Sequence, residues 1–386
     1  MDIANLSSRT IRSLFKFNLT SPAVTIYMPT HRSASPPNMS QDEIRFKNLH
    51  AKTVKILKSR EDSRQFTPEI DDLLTSISNK REFWEFQTEG LLICARPGQY
   101  KLFHLPFECQ EYISVSDQFH LAPIFGILND LQKFYVLIVT QHLPSLLIGD
   151  FYGIKTKDLK LPESIETGLK IDEMGQENEQ QVSSYSNGNG YNGRGGFKNP
   201  AEEERQRFWR VIDSLVREHT NNAIALILAG IESEISEFRA ISRYPNILDS
   251  HIEGSYSGAK ANDIFMAALS LFSDTIIKQE HDQVISEYKE LAGQSPSMVG
   301  HDIATIDKAA AEGRIKKLLL AGINYTTDTI RDNKDPVAVL QMPSIESAQA
   351  VNEIARTVFN SSGRIINIEQ RHMPVKGAQI LAIMRY

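Results

Sequence analysis

The apolar positions along the chain fall into short runs and helical stripes that alternate for most of its length. Val24–Met28 is a short apolar run stopped by Pro29, which predicts a strand. Asp42–Leu57 has helical periodicity, with Ile44, Leu49 and Ile56 on its apolar side, and Pro68–Ile77 predicts a second helix. Gly90–Ala95 and Tyr100–Leu105 predict two strands joined by a turn at Arg96-Pro97-Gly98. Phe134–Thr140 and Ala223–Ala229 are apolar throughout, as buried strands are. Ser145–Asp150 and the alternating Tyr152–Leu159 add two more strands after Pro144. Helices are predicted over Glu232–Ile241, Ala261–Gln279, Val284–Ala292, Ile303–Glu312 and Ile345–Phe359. The last strands are Lys317–Ala321, Val337–Gln341, Arg364–Glu369 and Gln379–Met384.

This pattern predicts an α/β protein of three blocks. Residues 1–130 form an α+β block, 131–283 a layered α/β unit, and 284–386 a compact α/β sandwich. The chain has 386 residues, enough for two or three domains. No internal repeat interrupts the series.

The one low-complexity segment carries the most chemistry. Ser183–Gly196 is rich in Gly, Asn and Ser, and within the loop 183–199 it runs directly into an amphipathic helix. Asn199 is placed to cap that helix, Pro200 suits its first position, and Glu202 completes a capping box. Glu202, Glu203 and Glu204 complement the helix dipole. Phe208, Val211, Ile212, Leu215 and Val216 share one face, with Arg207, Arg210 and Arg217 on the other. The helix is therefore fixed at its start, and the loop before it can present Gly193-Arg194-Gly195-Gly196 outward. The arginines could follow a phosphate backbone. A solvated arginine face and an unstructured insertion are the plainer readings of the same residues.

Charge and composition narrow the classes. The formal net charge of −6 excludes a protein that coats nucleic acid through broad positive potential, though not one with a local basic face. Two cysteines imply no disulfide framework and a reducing, cytoplasmic setting. The N-terminal residues lack a signal-peptide core, and no apolar run is long enough to span a bilayer. There is no phosphate-binding P-loop, no His-Glu-x-x-His and no Cys-x-x-Cys, so no metal or cofactor is expected. Gly254–Gly258 centres on Tyr256, so it is no nucleophile elbow. His31, beside Arg32 after a strand end, is the most suggestive histidine. Asp150 is the lone strand-end carboxylate that a metal-dependent nuclease could use.

Taken in order, these motifs resemble the class 1 peptide release factors of archaea and eukaryotes, and most of all the third family of bacterial archaeo-eukaryotic release factor proteins. Gly193–Gly196 followed by Arg205–Arg210 (RQRFWR) is similar to the family's GRGGQ loop and basic helix. Ile224–Gly230, His251–Ile264 and His301–Leu320 are similar to its later segments. The run Tyr27–Arg32 and the closing Met384–Tyr386 resemble the bacterial group. The resemblance implies three domains: one at the codon-reader position, a ribonuclease-H-like middle domain carrying the loop, and a C-terminal sandwich of the kink-turn-binding ribosomal protein type.

The activity it implies is hydrolysis of peptidyl-tRNA on the ribosome, with Gly195, Gly196 and Phe197 as the catalytic loop. Arg194, Lys198, Arg205, Arg207, Arg210 and Arg217 would contact RNA. A translational GTPase is an open partner, and the oligomeric state is unassigned. Two departures shape the expectation. Gly-Gly-Gln is replaced by Gly195-Gly196-Phe197, and the codon-reading Asn-Ile-Lys-Ser is absent, the nearest stretch being Phe46–Leu49. Codon-independent rescue of stalled ribosomes is the expected version. The alternatives are a non-catalytic ribosome-binding or ribosome-splitting factor, and a structured-RNA nuclease.

Overall fold

The computed structural model describes residues 3–15, 22–32, 36–130, 132–173, 200–256, 261–325, 338–340 and 348–386. Its contacts form two compact units. One is Gln132–Thr275, and the other combines Met1–Leu131 with Ile276–Tyr386. The first and third sequence blocks thus share one unit.

The N-terminal part of that unit contains β1 (Ile3–Asn5), α1 (Ser8–Leu14), β2 (Ala23–Pro29), α2 (Pro36–Ser59), α3 (Thr67–Ser78) and α4 (Arg81–Glu85). It continues with β3 (Gly90–Arg96), β4 (Gln99–Leu105), β5 (Glu108–Cys109), β6 (Tyr112–Ser116) and α5 (Ala122–Asp130). The main sheet has the order β1-β4-β3-β2-β6. The β3–β4 hairpin turns where expected, with Gly98 at φ +73°, a conformation that glycine adopts without a Cβ clash. Helix α2 buries Phe46, Leu49 and Leu57 against the sheet. Ile44, expected on that face, is 58% exposed. It precedes Phe46 by two residues, which places it about 200° away around the helix.

The middle unit begins with β7 (Phe134–Val139), β8 (Ser145–Asp150) and β9 (Gly153–Thr156), followed by a helical stretch over 165–173. Then come α6 (Pro200–His219), β10 (Ala225–Gly230), α7 (Glu232–Ile241), β11 (Ile252–Glu253) and α8 (Ala261–Phe272). Its sheet reads β11-β10-β7-β8-β9. β7, β8 and β9 form an antiparallel meander, and β10 and β11 join parallel to β7. Only β8 therefore runs against the rest.

The two helices predicted around residue 283 are parts of one longer helical run. A π-helical segment, Ser273–Ile277, links α8 to α9 (Lys278–Gln294) without a break.

The C-terminal part holds β12 (Val299–Gly300), α10 (Ile303–Ala311), β13 (Ile315–Ala321), β14 (Ile323–Tyr325), β15 (Ala338–Leu340), α11 (Ala348–Asn360), β16 (Arg364–Ile368) and β17 (Ile380–Met384). Its four-stranded sheet has the order β12-β17-β13-β16. The fold is mixed α/β, as expected.

Two asparagines join the N- and C-terminal parts. Asn352 accepts the backbone N–H groups of Leu121 and Ala122 at 2.7 and 3.0 Å and donates to the Phe119 carbonyl at 3.0 Å. Asn367 donates to the Pro123 carbonyl at 2.7 Å. Phe125 stacks on Phe359 with ring centroids 4.7 Å apart. Strand β15 also pairs in parallel with β5. Buried polar groups are hydrogen-bonded as a rule, so Asn352, which uses both ends of its amide, fixes the seam as well as fills it.

Candidate functional site

Gly193, Arg194, Gly195, Gly196, Phe197, Lys198 and Asn199 lie outside the described residues. The helix that carries the remaining candidates is described from its first residue. α6 starts at Pro200, as its sequence requires, with Glu202 and Glu203 in the first turn.

The apolar side of α6 packs on the middle sheet. Phe208, Trp209, Ile212 and Val216 are buried among Tyr135, Leu137, Val139, Leu146, Leu226, Leu228 and Phe238. Trp209 meets Phe238 edge-on, with centroids 6.0 Å apart and planes at 84°. Gly168 lies so close that a Cβ there would come within 2.6 Å of Phe208 Cδ2. Leu215, expected on this face, is only half-buried, while Trp209 and Asp213 are buried without having been expected there.

Three of the four described arginines are held by carboxylates. Arg205 Nε lies 3.2 Å from Glu237 Oε2, which also accepts the Trp209 indole N–H at 3.2 Å. Arg207 Nε donates to Asp172 at 2.8 Å, and its Nη2 lies 3.9 Å from Glu173. Asp172 is the main cause of a guanidinium pKa raised above its ordinary value. Arg217 donates to Asp213 at 2.8 Å. Arg210 is exposed and, among the described residues, makes no ion pair. The opposite side of α6 is thus a row of paired charges with one open cation, not the uniformly free arginine face that the helical spacing suggests.

These pairs differ in strength. Those of Arg205 and Arg207 are partly exposed, and such pairs contribute about 0–1 kcal/mol, so a phosphate could displace them. Arg217 is bound to a carboxylate only 3% exposed, which also accepts Ser242 Oγ at 2.5 Å and the Arg243 N–H at 3.2 Å. That carboxylate anchors the end of α7. The Asp213–Arg217 pair is legible as an i,i+4 spacing. Asp172, Glu173 and Glu237 carry no comparable signal, because they come from 35, 34 and 32 residues away.

The other candidates occupy structural positions. His31 Nδ1 lies 2.9 Å from Asp42 Oδ1, and Asp42 Oδ2 accepts the His31 backbone N–H at 2.9 Å. Arg32 makes a two-pronged pair with Glu89. These contacts fasten the end of β2 to α2 and to the start of β3. Asp150 accepts the Tyr152 N–H at 2.8 Å and so shapes the β8–β9 turn. Gly254 has φ +153°, and Tyr256 Oη donates to the Glu253 carbonyl at 3.2 Å. Glu234, near the end of β7, has its carboxyl pKa raised by burial, opposed by the Gln141 backbone N–H at 3.3 Å. Among the described residues no three His, Cys, Asp or Glu groups converge as a metal site. No described helix is long and apolar enough to cross a membrane.

Comparison with known proteins finds a similarity over part of this arrangement. No curated protein matches the chain. Among solved structures, the archaeal translation termination factor aRF1 is 13% identical, covers 99% of each chain and has a TM-score of 0.25. Dom34 of S. cerevisiae, described as a translation termination-like factor involved in RNA quality control and interacting with Hbs1, is 12% identical. It covers 75% of this chain and 74% of its own, with a TM-score of 0.35. An archaeal Pelota, from a model of ribosome-bound Pelota and ABCE1, is 11% identical, covers 77% of both chains and has a TM-score of 0.40. The family model for bacterial archaeo-eukaryotic release factor family 3 matches residues 133–314, just under half of the chain. That segment spans the middle sheet, the glycine-rich sequence, α6 and the chain through α10, and over it the chain is similar to bacterial archaeo-eukaryotic release factor family 3.

Proposed function

We propose that this protein is a ribosome-associated, release-factor-like protein that hydrolyses peptidyl-tRNA on stalled ribosomes without reading a codon. The observation that carries the reading is the family match over 133–314, which includes Gly195-Gly196-Phe197 and the helix α6 behind it. In the proposed reaction, water attacks the ester carbonyl that joins peptide to tRNA. The acyl C–O bond breaks and the tRNA ribose oxygen leaves with a proton. The two glycines would let the backbone approach the ester, and the Phe197 N–H would donate to the developing oxyanion. Arg194 and Lys198 would hold RNA phosphate beside the loop. Arg210 would do so directly, and Arg205 and Arg207 by exchanging their carboxylates for phosphate. The ribosome is the partner this reading requires, and a translational GTPase is a candidate second one.

A second reading rests on Phe197. Without the glutamine side chain to place water, the same architecture would serve as a non-catalytic ribosome-binding or ribosome-splitting factor. One experiment separates the two. Purified protein is added to stalled ribosomes carrying labelled peptidyl-tRNA, and both binding and peptide release are measured. Release that a Gly195→Pro/Gly196→Pro variant loses while still binding supports the hydrolase. Binding without release under any codon supports the second reading. Absence of binding refutes both.

A further inference from the structure

The unit formed by residues 1–131 and 276–386 has a small, partly open cavity of about 20 Å³ where its two parts meet. Arg96 of β3 and Arg356 of α11 both line it. Arg96 is only 2% exposed. Its Nη2 donates to the Asp117 carbonyl at 2.6 Å, and its guanidinium carbon lies 5.1 Å from the Phe119 ring centroid. Arg356 lies over Phe15 at 5.5 Å and, among the described residues, makes no ion pair. Gln118 Oε1 is buried there without a hydrogen-bond partner among the described residues. Asn352 also lines the cavity, but its amide is already engaged by the Phe119–Ala122 backbone.

The electrostatics of this cavity favour a negative guest. Burial is the main influence lowering the Arg96 pKa; Arg356 adds like-charge repulsion, and the Asp117 carboxylate opposes both. Two arginines lining one partly buried space repel each other, and an anion between them would turn that repulsion into attraction. The Gln118 amide, whose oxygen has no partner there among the described residues, can present its NH₂ after a flip. A cavity of this size admits one water-sized particle, which excludes phosphate and larger oxyanions.

We propose that the cavity binds a single chloride-sized inorganic anion that bridges Arg96 and Arg356 and ties residues 1–131 to residues 276–386. The test is thermal unfolding of the full chain at constant ionic strength, with sodium chloride exchanged stepwise for sodium gluconate. Chloride is expected to raise the midpoint saturably, by about 2 °C or more at saturation. Arg356→Met should abolish the response, and Arg356→Lys should keep part of it. Equal midpoints in the two salts, or a full response in Arg356→Met, overturn the proposal. So does stabilisation by phosphate but not by chloride. Crystals of the unmodified protein grown in sodium bromide give a check that needs no variant. An anomalous peak in the cavity is expected, and bromide found only elsewhere refutes the site.

Discussion

Asp213 ties α6 to α7 inside the middle unit, and its removal should weaken that unit by an amount the structure lets one work out. Its carboxylate is 3% exposed and accepts three hydrogen bonds, from Ser242 Oγ, the Arg243 N–H and Arg217 Nε. Bonds to a charged acceptor contribute about 1.5–3 kcal/mol each. Arg243 is exposed, so water can take over its N–H in a variant, and the low end of that range applies. The Arg217 side chain is one-third exposed, so solvent screening reduces its share to about 0.5 kcal/mol. Asp213→Ala should therefore destabilise the unit by about 3.5 kcal/mol, and Asp213→Asn, which keeps one acceptor oxygen, by about half as much. The chain has two tryptophans, Trp84 and Trp209, one in each unit. Urea unfolding followed by fluorescence in a Trp84→Phe background thus reports the middle unit through Trp209. A double-mutant cycle should give a coupling of about 0.5 kcal/mol between Asp213 and Arg217, and a larger one between Asp213 and Ser242. A loss below about 1 kcal/mol for Asp213→Ala, or a coupling carried mainly by Arg217, would refute the assignment of Asp213 as an anchor of α7.

Gly168→Ala places a Cβ 2.6 Å from Phe208, and overpacking of this kind should cost about 1–3 kcal/mol in the same Trp209-monitored assay; an unchanged midpoint would show that Phe208 has room to move. His120 and His281 are buried, and burial lowers both pKa values to about 4. The unfolded chain takes up these protons below about pH 6.5 while the folded chain does not, so stability is complete above that pH and falls as pH drops from 6.5 to 4. The loss should approach about 3 kcal/mol per histidine, read from urea midpoints reported by Trp84, and a flat profile over this range would contradict the burial argument. Arg210→Glu should weaken ribosome binding and reduce the salt slope by about one phosphate contact, whereas Arg217→Glu should act mainly through stability; co-sedimentation at several salt concentrations distinguishes the two.

Local pattern carried much of the architecture. The hairpin at Arg96–Gly98 and the span of α7 follow from turn chemistry and periodicity, which are interactions among near neighbours. The same locality explains the misreadings. Ile44 is apolar, but the stripe through Phe46, Leu49 and Leu57 meets the sheet, and only the docked helix shows which stripe wins. The break expected near residue 283 is absent because α9 runs through it from Lys278 to Gln294, where the sequence offers no clear stop.

The chemistry of α6 was half legible. Its arginines and apolar face are visible in the sequence, while Asp172 and Glu237, which pair with Arg207 and Arg205, are brought close only by folding. The joining of the first and third blocks through Asn352 and Asn367 spans more than 200 residues and leaves no periodic trace. The sequence by itself determined the elements and the family-like order of motifs, because helices and strands are specified by neighbours a few residues apart. Tertiary structure alone decided which charges remain open and which parts of the chain share a core, because both depend on partners that meet only when distant segments pack.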